Sequence, residues 1–342
     1  MHPILFYAVL NGAFQIRTGE WSLFCGGDIM LNGVSASVPV FKGISVPADA
    51  IFYANLEIPL TNTSERTRRK TAADIAARNQ YVLKADPGHI KNLVSAGIDV
   101  VSLGNNHAMD GGVSGLKQTT SLLDSYHIQR CGAGLNWTDA TKSTVVVAPD
   151  GTRVAFISYL SFLSLGGLRA CTPAAAKTAG VAALTLGGKS GPNELERLKK
   201  IVVRARLDAD MVVVALHWGI EKQPFPAPFQ VSLGRLFIDA GADVVIGAHP
   251  HVLQPAELYK GKPIIYSLGN FVNPGGGQAA MYKLTFEKTE YRSAQIIPTS
   301  YSGGRVGLSK RDPIEISKQE QGLKKRFPSL DAELMTYPVS IP

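Results

Sequence analysis

A chain of 342 residues with 45% hydrophobic and 18% charged residues has the composition of a globular protein, which excludes disorder as the default. Its formal net charge of +8 favours anionic partners such as phosphate esters, acidic polymers or an anionic membrane surface. Basic residues cluster only at 66–70 and 324–326, without interleaved aromatic residues, so we expect no nucleic-acid partner. We expect one core domain with an appended tail, and the oligomeric state stays open.

The N-terminal residues leave the location of the protein open. Residues 3–10 form an apolar run as long as a signal-peptide core, but no basic segment precedes it and no small-x-small cleavage site follows it. We expect an extracytoplasmic location with peripheral association to the cell envelope, and a cytoplasmic location is the alternative. No apolar run reaches the length of a membrane-spanning helix.

The cysteine count argues against a disulfide scaffold. Cys25, Cys131 and Cys171 cannot form a closed set of disulfides, although one bridge remains open. Because the chain also lacks C-x-x-C spacing, a zinc ribbon is not indicated.

Three predicted strands in the first third of the chain end in polar residues. Short apolar runs predict these strands at residues 21–27, 51–54 and 98–103. The polar residues that follow are Asp28, Glu57, Asn106 and His107. Helical periodicity predicts helices over residues 86–96 and 115–126, the first with Asp86 as its N-cap.

Two longer stretches have no clear period. Residues 61–78 are polar and basic, and we expect a surface loop or exposed helix near the mouth of the site. Residues 163–191 are rich in Gly, Ala, Thr and Ser, and we expect a long loop over one face.

The second half of the chain repeats the order helix, strand, polar loop. A hairpin is predicted for residues 145–147 and 154–158, and the later elements are helices at 193–207, 231–240 and 317–326 and strands at 211–216, 244–246, 264–266, 281–286 and 294–299. We expect the last two strands to be antiparallel. This order is typical of an α/β fold with its site at the carboxyl ends of strands.

Four of the seven histidines follow apolar strand-like runs, namely His107, His217, His249 and His251. A histidine beside one apolar run is usually a packing residue, but four in the same setting favour a metal site. With Asp28, Glu57 and Asn106 they form a ligand set suited to one or two ions of Mn²⁺, Zn²⁺, Fe or Mg²⁺. Two such ions can clamp the oxygens of a phosphoryl transfer.

Six ordered motifs resemble those of the bacterial CapA family of capsule or poly-γ-glutamate biosynthesis proteins. They are Gly27-Asp28-Ile29-Met30-Leu31, Asn55-Leu56-Glu57, Asn105-Asn106-His107 with Asp110-Gly111, His217-Trp218-Gly219, Gly247-Ala248-His249-Pro250-His251 and Tyr266-Ser267-Leu268-Gly269-Asn270-Phe271. The resemblance covers residues 20–275. It relates the chain to calcineurin-like metallophosphoesterases and implies a four-layer α/β/β/α sandwich.

The resemblance also implies domain bounds and site residues. Residues 1–19 become an N-terminal segment with features of a degenerate signal peptide, 20–305 a CapA-type metallophosphoesterase-like domain and 306–342 a C-terminal extension. The implied metal ligands are Asp28, Glu57, Asn106, His217, His249 and His251. His107 is implied to be the catalytic residue, as an acid or charge stabiliser. Trp218 is expected to form a wall of the cleft.

One position departs from the related phosphoesterases. Their first motif is Asp-x-His, whereas Met30 stands here at the third position, so one metal is short of a ligand. The resemblance favours a metal-dependent hydrolase acting on a phosphoester or anionic envelope polymer. The alternatives are a non-catalytic polyglutamate-binding or capsule-assembly protein, which Met30 favours, and an amide-bond enzyme acting on that polymer.

Overall fold

Two large mixed β-sheets organise the computed structural model, which describes residues 19–78, 80–161, 171–184, 192–309 and 333–334. Within these residues the strands are β1 (Glu20–Ile29), β2 (Ile51–Leu56), β3 (Val100–Ser102), β4 (Gln129–Cys131), β5 (Ala133–Gly134), β6 (Thr144–Val147), β7 (Arg153–Ser161), β8 (Gly180–Val181), β9 (Ala183–Leu184), β10 (Met211–His217), β11 (Val244–Ala248), β12 (Leu253–Tyr259), β13 (Lys262–Leu268), β14 (Asn270–Val272), β15 (Gly276–Glu287), β16 (Glu290–Ser302), β17 (Arg305–Leu308) and β18 (Glu333–Leu334). The helices are α1 (Ala72–Ala76), α2 (Ile90–Ser95), α3 (Gly112–Ser125), α4 (Trp137–Ala140), α5 (Pro192–Arg206) and α6 (Pro228–Asp239), with a 3-10 turn at Pro87–His89.

Each sheet contains a block of four parallel strands. The first has the order β17-β16-β15-β1-β2-β3-β4, with β14 beside β1, and its strands β1 to β4 are mutually parallel. The second has the order β18-β12-β13-β11-β10-β7-β6, with β9 beside β7, and β7, β10, β11 and β13 are parallel. Parallel strands align their carboxyl ends along one edge of a sheet, and this edge carries the candidate site.

Alternate residues of the central strands enter different hydrophobic cores. In β10, Met211 and Val213 belong to a core that also contains residues of β1 and β2, whereas Val212 and Val214 belong to a core with α5 and α6. Successive side chains of a strand point to opposite faces, so a strand buried on both faces is apolar throughout. This explains why the predicted strands appeared as continuous apolar runs.

The helices cover the outer faces of the sheets. Leu116 and Leu123 of α3 pack into the same core as Phe24 of β1, on the other side of that strand from Trp21. The N-cap predicted at Asp86 is confirmed, because its side chain accepts a hydrogen bond of 2.6 Å from the backbone N–H of Gly88. The sequence and the two sheets together establish a mixed α/β fold.

Most predicted elements are present within a few residues of their expected ends. The hairpin of β6 and β7 and the antiparallel pairing of β15 with β16 are confirmed. The expected long loop at 163–191 is wrong at β8 and β9, which pair with β5 and β7. The helix predicted at 317–326 and the N-terminal segment up to residue 18 lie outside the described residues.

The division of the chain at residue 305 stays a prediction. β17 crosses that boundary, and β18 of the predicted C-terminal extension pairs with β12. All three cysteines are buried and none of them forms a disulfide, so the optional bridge is not made. Among the described helices none is both long and apolar enough to cross a membrane.

Candidate functional site

Three loops of the first sheet deliver polar side chains to one edge. Asp28 lies near the end of β1, Glu57 follows β2, and Asn106 and His107 follow β3. Their strands are parallel neighbours, with Asp28 beside Asn55 of β2 in the register. The three loops therefore leave the sheet side by side.

Two neighbouring strands of the second sheet supply the remaining histidines. His217 is the last residue of β10 and pairs in register with Ala248, the last residue of β11, after which come His249 and His251. His249 and His251 have φ angles of 97° and 58°, which non-glycine residues seldom adopt. Such backbone persists where the surrounding structure imposes it, and it is frequent at functional sites.

Glycine is required where the backbone beside the site comes into close contact. A Cβ atom at Gly27 would lie 2.0 Å from the carbonyl oxygen of Gly269, and one at Gly247 would lie 2.0 Å from that of Tyr266. The N–H of Asp28 donates to the Gly269 carbonyl over 2.9 Å. The glycines that precede the acidic and histidine motifs thus allow the strands to approach closely.

The two loop groups meet in one cluster. Nδ1 of His251 lies 3.1 Å from Oδ2 of Asp28, and Nε2 of His251 lies 3.6 Å from Oε1 of Glu57. Nε2 of His217 lies 2.8 Å from Oδ1 of Asn106 and 3.9 Å from Oε1 of Glu57. The rings of His217 and His249 are 4.7 Å apart. The structure therefore brings together all six residues predicted as metal ligands.

The described part of the chain contains three groups of potential metal ligands. Within each group, the ligand atoms lie within 4.8 Å of one another. The groups are Glu57, His217 and His249, then Asp28, Glu57 and His251, and finally Glu221, His249 and His251. Glu57 is fully buried, and neither of its carboxylate oxygens has a hydrogen-bond partner. A buried carboxylate without a partner is costly, and carboxylates with imidazoles are typical ligands of divalent metals. These residues fit a divalent cation.

The protonation of the cluster reflects burial and the opposing charges within it. Burial, and then the Asp28 charge, raise the pKa of Glu57 well above its usual value. Burial lowers the pKa of His217 well below normal and that of His249 to about 3, and neighbouring imidazoles add to both shifts. These two rings are neutral, which is the form that binds metals. Burial opposes protonation of His251, but Glu57 and Asp28 outweigh it and raise its pKa to about 10.

His107 contacts a different set of residues. Its Nδ1 atom lies 2.7 Å from Oδ2 of Asp110 and 3.0 Å from Nζ of Lys70, which is itself 2.5 Å from Oδ1 of Asp110. Burial and the Lys70 ammonium lower the pKa of His107, and Asp110 opposes this. When Nδ1 donates to Asp110, Nε2 of the neutral ring is an acceptor.

Two asparagines fix the loops that hold the acidic residues. Asn55 donates to Oδ1 of Asp28 over 2.7 Å, and Asn105 donates to the Leu56 carbonyl over 2.9 Å. Oδ1 of Asn105 also accepts from the N–H of His107 over 3.1 Å. These amides orient Asp28 and connect the second and third motifs.

Sequence reasoning missed several residues at the site. Asp110 and Asn270 lie within the quoted motifs but were not assigned, and Asn270 Oδ1 lies 2.9 Å from Nδ1 of His251. Glu221 lies four positions after His217, and no pattern in the sequence marked it. Lys70 was placed in a surface segment, yet its side chain is fully buried and its ammonium donates to the Tyr81 carbonyl over 2.8 Å. The expectation of an exposed segment at 61–78 is therefore wrong at Lys70.

Trp218 also differs from its expected position. It is fully buried in the core that includes α6, and its indole N–H donates to the Tyr266 carbonyl over 2.9 Å. It supports the strands beneath the site and is not a wall of the cleft.

Comparison with known proteins shows the relationships of the chain. The PGA biosynthesis protein CapA of Bacillus subtilis (strain 168) is 32% identical over 254 residues, which are 72% of this chain and 61% of that protein. The capsule biosynthesis protein CapA of Bacillus anthracis is 33% identical over 221 residues, 64% of this chain and 49% of that protein. The chain thus matches roughly half to three fifths of these relatives' lengths.

A solved structure and a family model complete the comparison. The crystal structure of a hypothetical protein from Thermus thermophilus is 16% identical, with a TM-score of 0.45 over 82% of this chain and 99% of that chain. The family described as bacterial capsule synthesis protein PGA_cap matches residues 22–275. The resemblance seen in the six motifs is confirmed, and the chain belongs to this family of capsule synthesis proteins, which includes CapA.

Proposed function

We propose that this protein is a metal-dependent hydrolase of the calcineurin-like type that acts on a phosphoester or an anionic cell-envelope polymer. The observation that carries the proposal is the buried carboxylate of Glu57, whose oxygens have no hydrogen-bond partner and whose Oε1 atom lies 3.6 Å and 3.9 Å from the imidazoles of His251 and His217. A carboxylate among imidazoles in this position would be a suitable ligand for a divalent cation.

The arrangement of the cores supports the same proposal. One core contains residues of both sheets, a second contains α2 and α3 with the first sheet, and a third contains α5 and α6 with the second sheet. We take this as an α/β/β/α sandwich, the fold that the resemblance to calcineurin-like phosphoesterases implies.

Six side chains would hold one or two ions, with Mn²⁺, Zn²⁺, Fe or Mg²⁺ suited to their oxygen and nitrogen donors. They are Asp28, Glu57, Asn106, His217, His249 and His251. A divalent ion held by these residues would supply Lewis-acid chemistry and would lower the pKa of a water molecule.

His107 would exchange a proton with the substrate at Nε2. With Nδ1 donating its proton to Asp110, Nε2 would be the accepting nitrogen of the ring. Because Lys70 contacts the same ring and the same carboxylate, it would position His107 without touching the substrate. A neutral ring at rest is ready to take a proton and to return it to a leaving group.

The substrate class is argued from charge and from the relatives. Arg66, Arg68 and Arg69 are exposed and lie directly before Lys70, which reaches the site. They would provide a positive rim for an anionic chain, in keeping with the net charge of +8. The relatives are named for PGA and capsule biosynthesis, and we place this protein in that process.

The test uses the purified full chain. Metal content is measured first, and hydrolysis of phosphomonoester, phosphodiester and poly-γ-glutamate substrates is then assayed with and without chelator. Hydrolysis that chelator abolishes and added metal restores would support the proposal. A protein without metal, or with activity insensitive to chelator, would contradict it.

The second candidate is a non-catalytic protein that holds polyglutamate in the same cleft during capsule assembly. The observation that favours it is Met30, whose sulfur accepts a hydrogen bond of 3.4 Å from Asn273 and offers a metal only a weak donor. Such a protein would bind the polymer in a salt-dependent way and hydrolyse nothing. Binding of labelled poly-γ-glutamate, measured beside the hydrolysis assays, separates the two functions.

A further inference from the structure

Glu221 places a third carboxylate at the candidate metal centre. It lies on the loop that follows β10, and its carboxylate oxygen is within 4.8 Å of a ring nitrogen of His249 and of His251. Glu221 is exposed to solvent, whereas Glu57, His217 and His249 are buried. Glu221 therefore approaches the cluster from the solvent side.

The backbone beside Glu221 is fastened to the histidine loop. The N–H of Lys222 donates to the Pro250 carbonyl over 2.8 Å, between the two histidines of that loop. Gln254, which is fully buried, donates to the carbonyls of Gln223 and Phe225 over 2.9 Å and 3.1 Å. Its own side-chain oxygen accepts from buried Gln230 over 3.0 Å. The backbone that carries Glu221 is therefore fixed relative to His249 and His251.

The three groups of potential ligands share residues with one another. The group of Glu57, His217 and His249 and the group of Asp28, Glu57 and His251 share only the Glu57 carboxylate. Two ions could therefore use these groups without competing for an imidazole. The Glu221 group takes one histidine from each. Glu221 thus lies beside a ligand of both positions and can join either one.

The first motif contributes one weak donor to the candidate metal centre. The Met30 thioether is a weak donor, and Glu57 is a fully buried carboxylate whose two oxygens lack hydrogen-bond partners. We propose that Glu221 is a further metal ligand, which supplies from the solvent side the strong donor that the first motif lacks. This inference rests on the proposed metal centre. It adds an oxygen donor and a negative charge, which suit hard divalent ions.

The test compares binding of Mn²⁺ alone to metal-free full-length variants by equilibrium dialysis. We expect Glu221→Gln to weaken Mn²⁺ binding by about 10–100-fold at one position, the size of effect seen when groups that support a metal are removed. The control is Glu290→Gln, which removes the same charge from an exposed residue at the start of β16. We expect its affinity to stay within about twofold of the parent, as for surface changes away from a site.

Spectroscopy separates a ligand from a distant charge. At saturating Co²⁺, Glu221→Gln should change the visible absorption spectrum, because that spectrum depends on the number and type of ligands. A parental spectrum and parental Mn²⁺ affinity in Glu221→Gln would overturn the inference and leave the proposed function standing. Weaker Mn²⁺ binding with a parental Co²⁺ spectrum would also overturn it, since Glu221 would then act by charge alone. If the parent itself binds neither ion, the metal centre and the proposed function fail together.

Discussion

Nδ1 of His251 lies 3.1 Å from Oδ2 of Asp28, so a loop of the second sheet touches the end of a strand of the first. The two residues belong to different sheets, and the candidate metal centre is complete only when the sheets are packed together. Metal binding should therefore be coupled to folding.

The first prediction follows from this coupling. A divalent metal at about one hundred times its Kd should stabilise the protein by about 2.7 kcal/mol, since it binds only the folded state. The Tm measured by calorimetry should fall when chelator is added. Glu57→Gln should lose the metal-dependent gain, because Glu57 belongs to two of the three groups of potential ligands. A parent Tm indifferent to metal would contradict the prediction.

The second prediction separates metal binding from proton transfer. We expect His107→Ala to keep its metal and to lower turnover by about 10²–10⁴, the usual contribution of a positioned acid or base. His249→Ala should lose metal first and activity as a consequence. Metal analysis and kinetics on both variants provide the measurement. If His107→Ala loses its metal as completely as His249→Ala, then His107 is a ligand and its catalytic assignment is wrong.

The third prediction concerns the departure at Met30. Met30→His should raise metal occupancy, because an imidazole replaces a weak thioether two residues after Asp28. Metal analysis of the variant and the parent, purified side by side, checks this. The double variant of Met30→His and Glu221→Gln should be compared with Glu221→Gln alone. Met30→His should raise metal occupancy more in this pair than in the parent if the two positions bind the same ion. Equal occupancy in all four proteins would show that the calcineurin-like template does not apply here.

The fourth prediction tests the buried Lys70. Lys70→Met should lower the free energy of unfolding by about 3 kcal/mol, because it leaves buried Asp110 without its cation. Arg69→Met, at the neighbouring exposed position, should change it by less than about 0.5 kcal/mol. Denaturant unfolding measures both. Turnover of Lys70→Met should fall at unchanged metal content, since His107 loses one of its neighbours. Equal stability of the two variants would mean that Lys70 is not buried in solution.

The fifth prediction is a pH dependence of metal affinity. Burial opposes a proton on His251, but Glu57 and Asp28 raise its pKa to about 10, so the ring is protonated at neutral pH in the metal-free protein. A metal must displace this proton, so affinity for Mn²⁺ should rise with pH, approaching tenfold per unit over about pH 6 to 8. Calorimetry in buffers of different ionisation enthalpy should detect the released proton. His251→Asn should reduce both effects, and a pH-independent parent would contradict the assignment.

The sequence by itself determined the local structure and most of the candidate site. Apolar β-branched runs predicted the central strands, and the polar residues that follow them marked Asp28, Glu57, His217, His249 and His251. These predictions succeeded because parallel strands bring their carboxyl ends to one edge, so position along a strand is enough to place a residue near the site.

Only the tertiary structure showed which further side chains contact those residues. Lys70 was unremarkable in a basic segment, yet the fold buries its ammonium beside His107 and Asp110. Glu221 follows no strand end directly, and its place beside His249 and His251 depends on a loop held by Gln254. Such contacts join residues that are distant in the chain and lie on irregular loops. Loops have no hydrophobic periodicity from which their conformation could be predicted, so these contacts are defined only when the sheets and loops pack together.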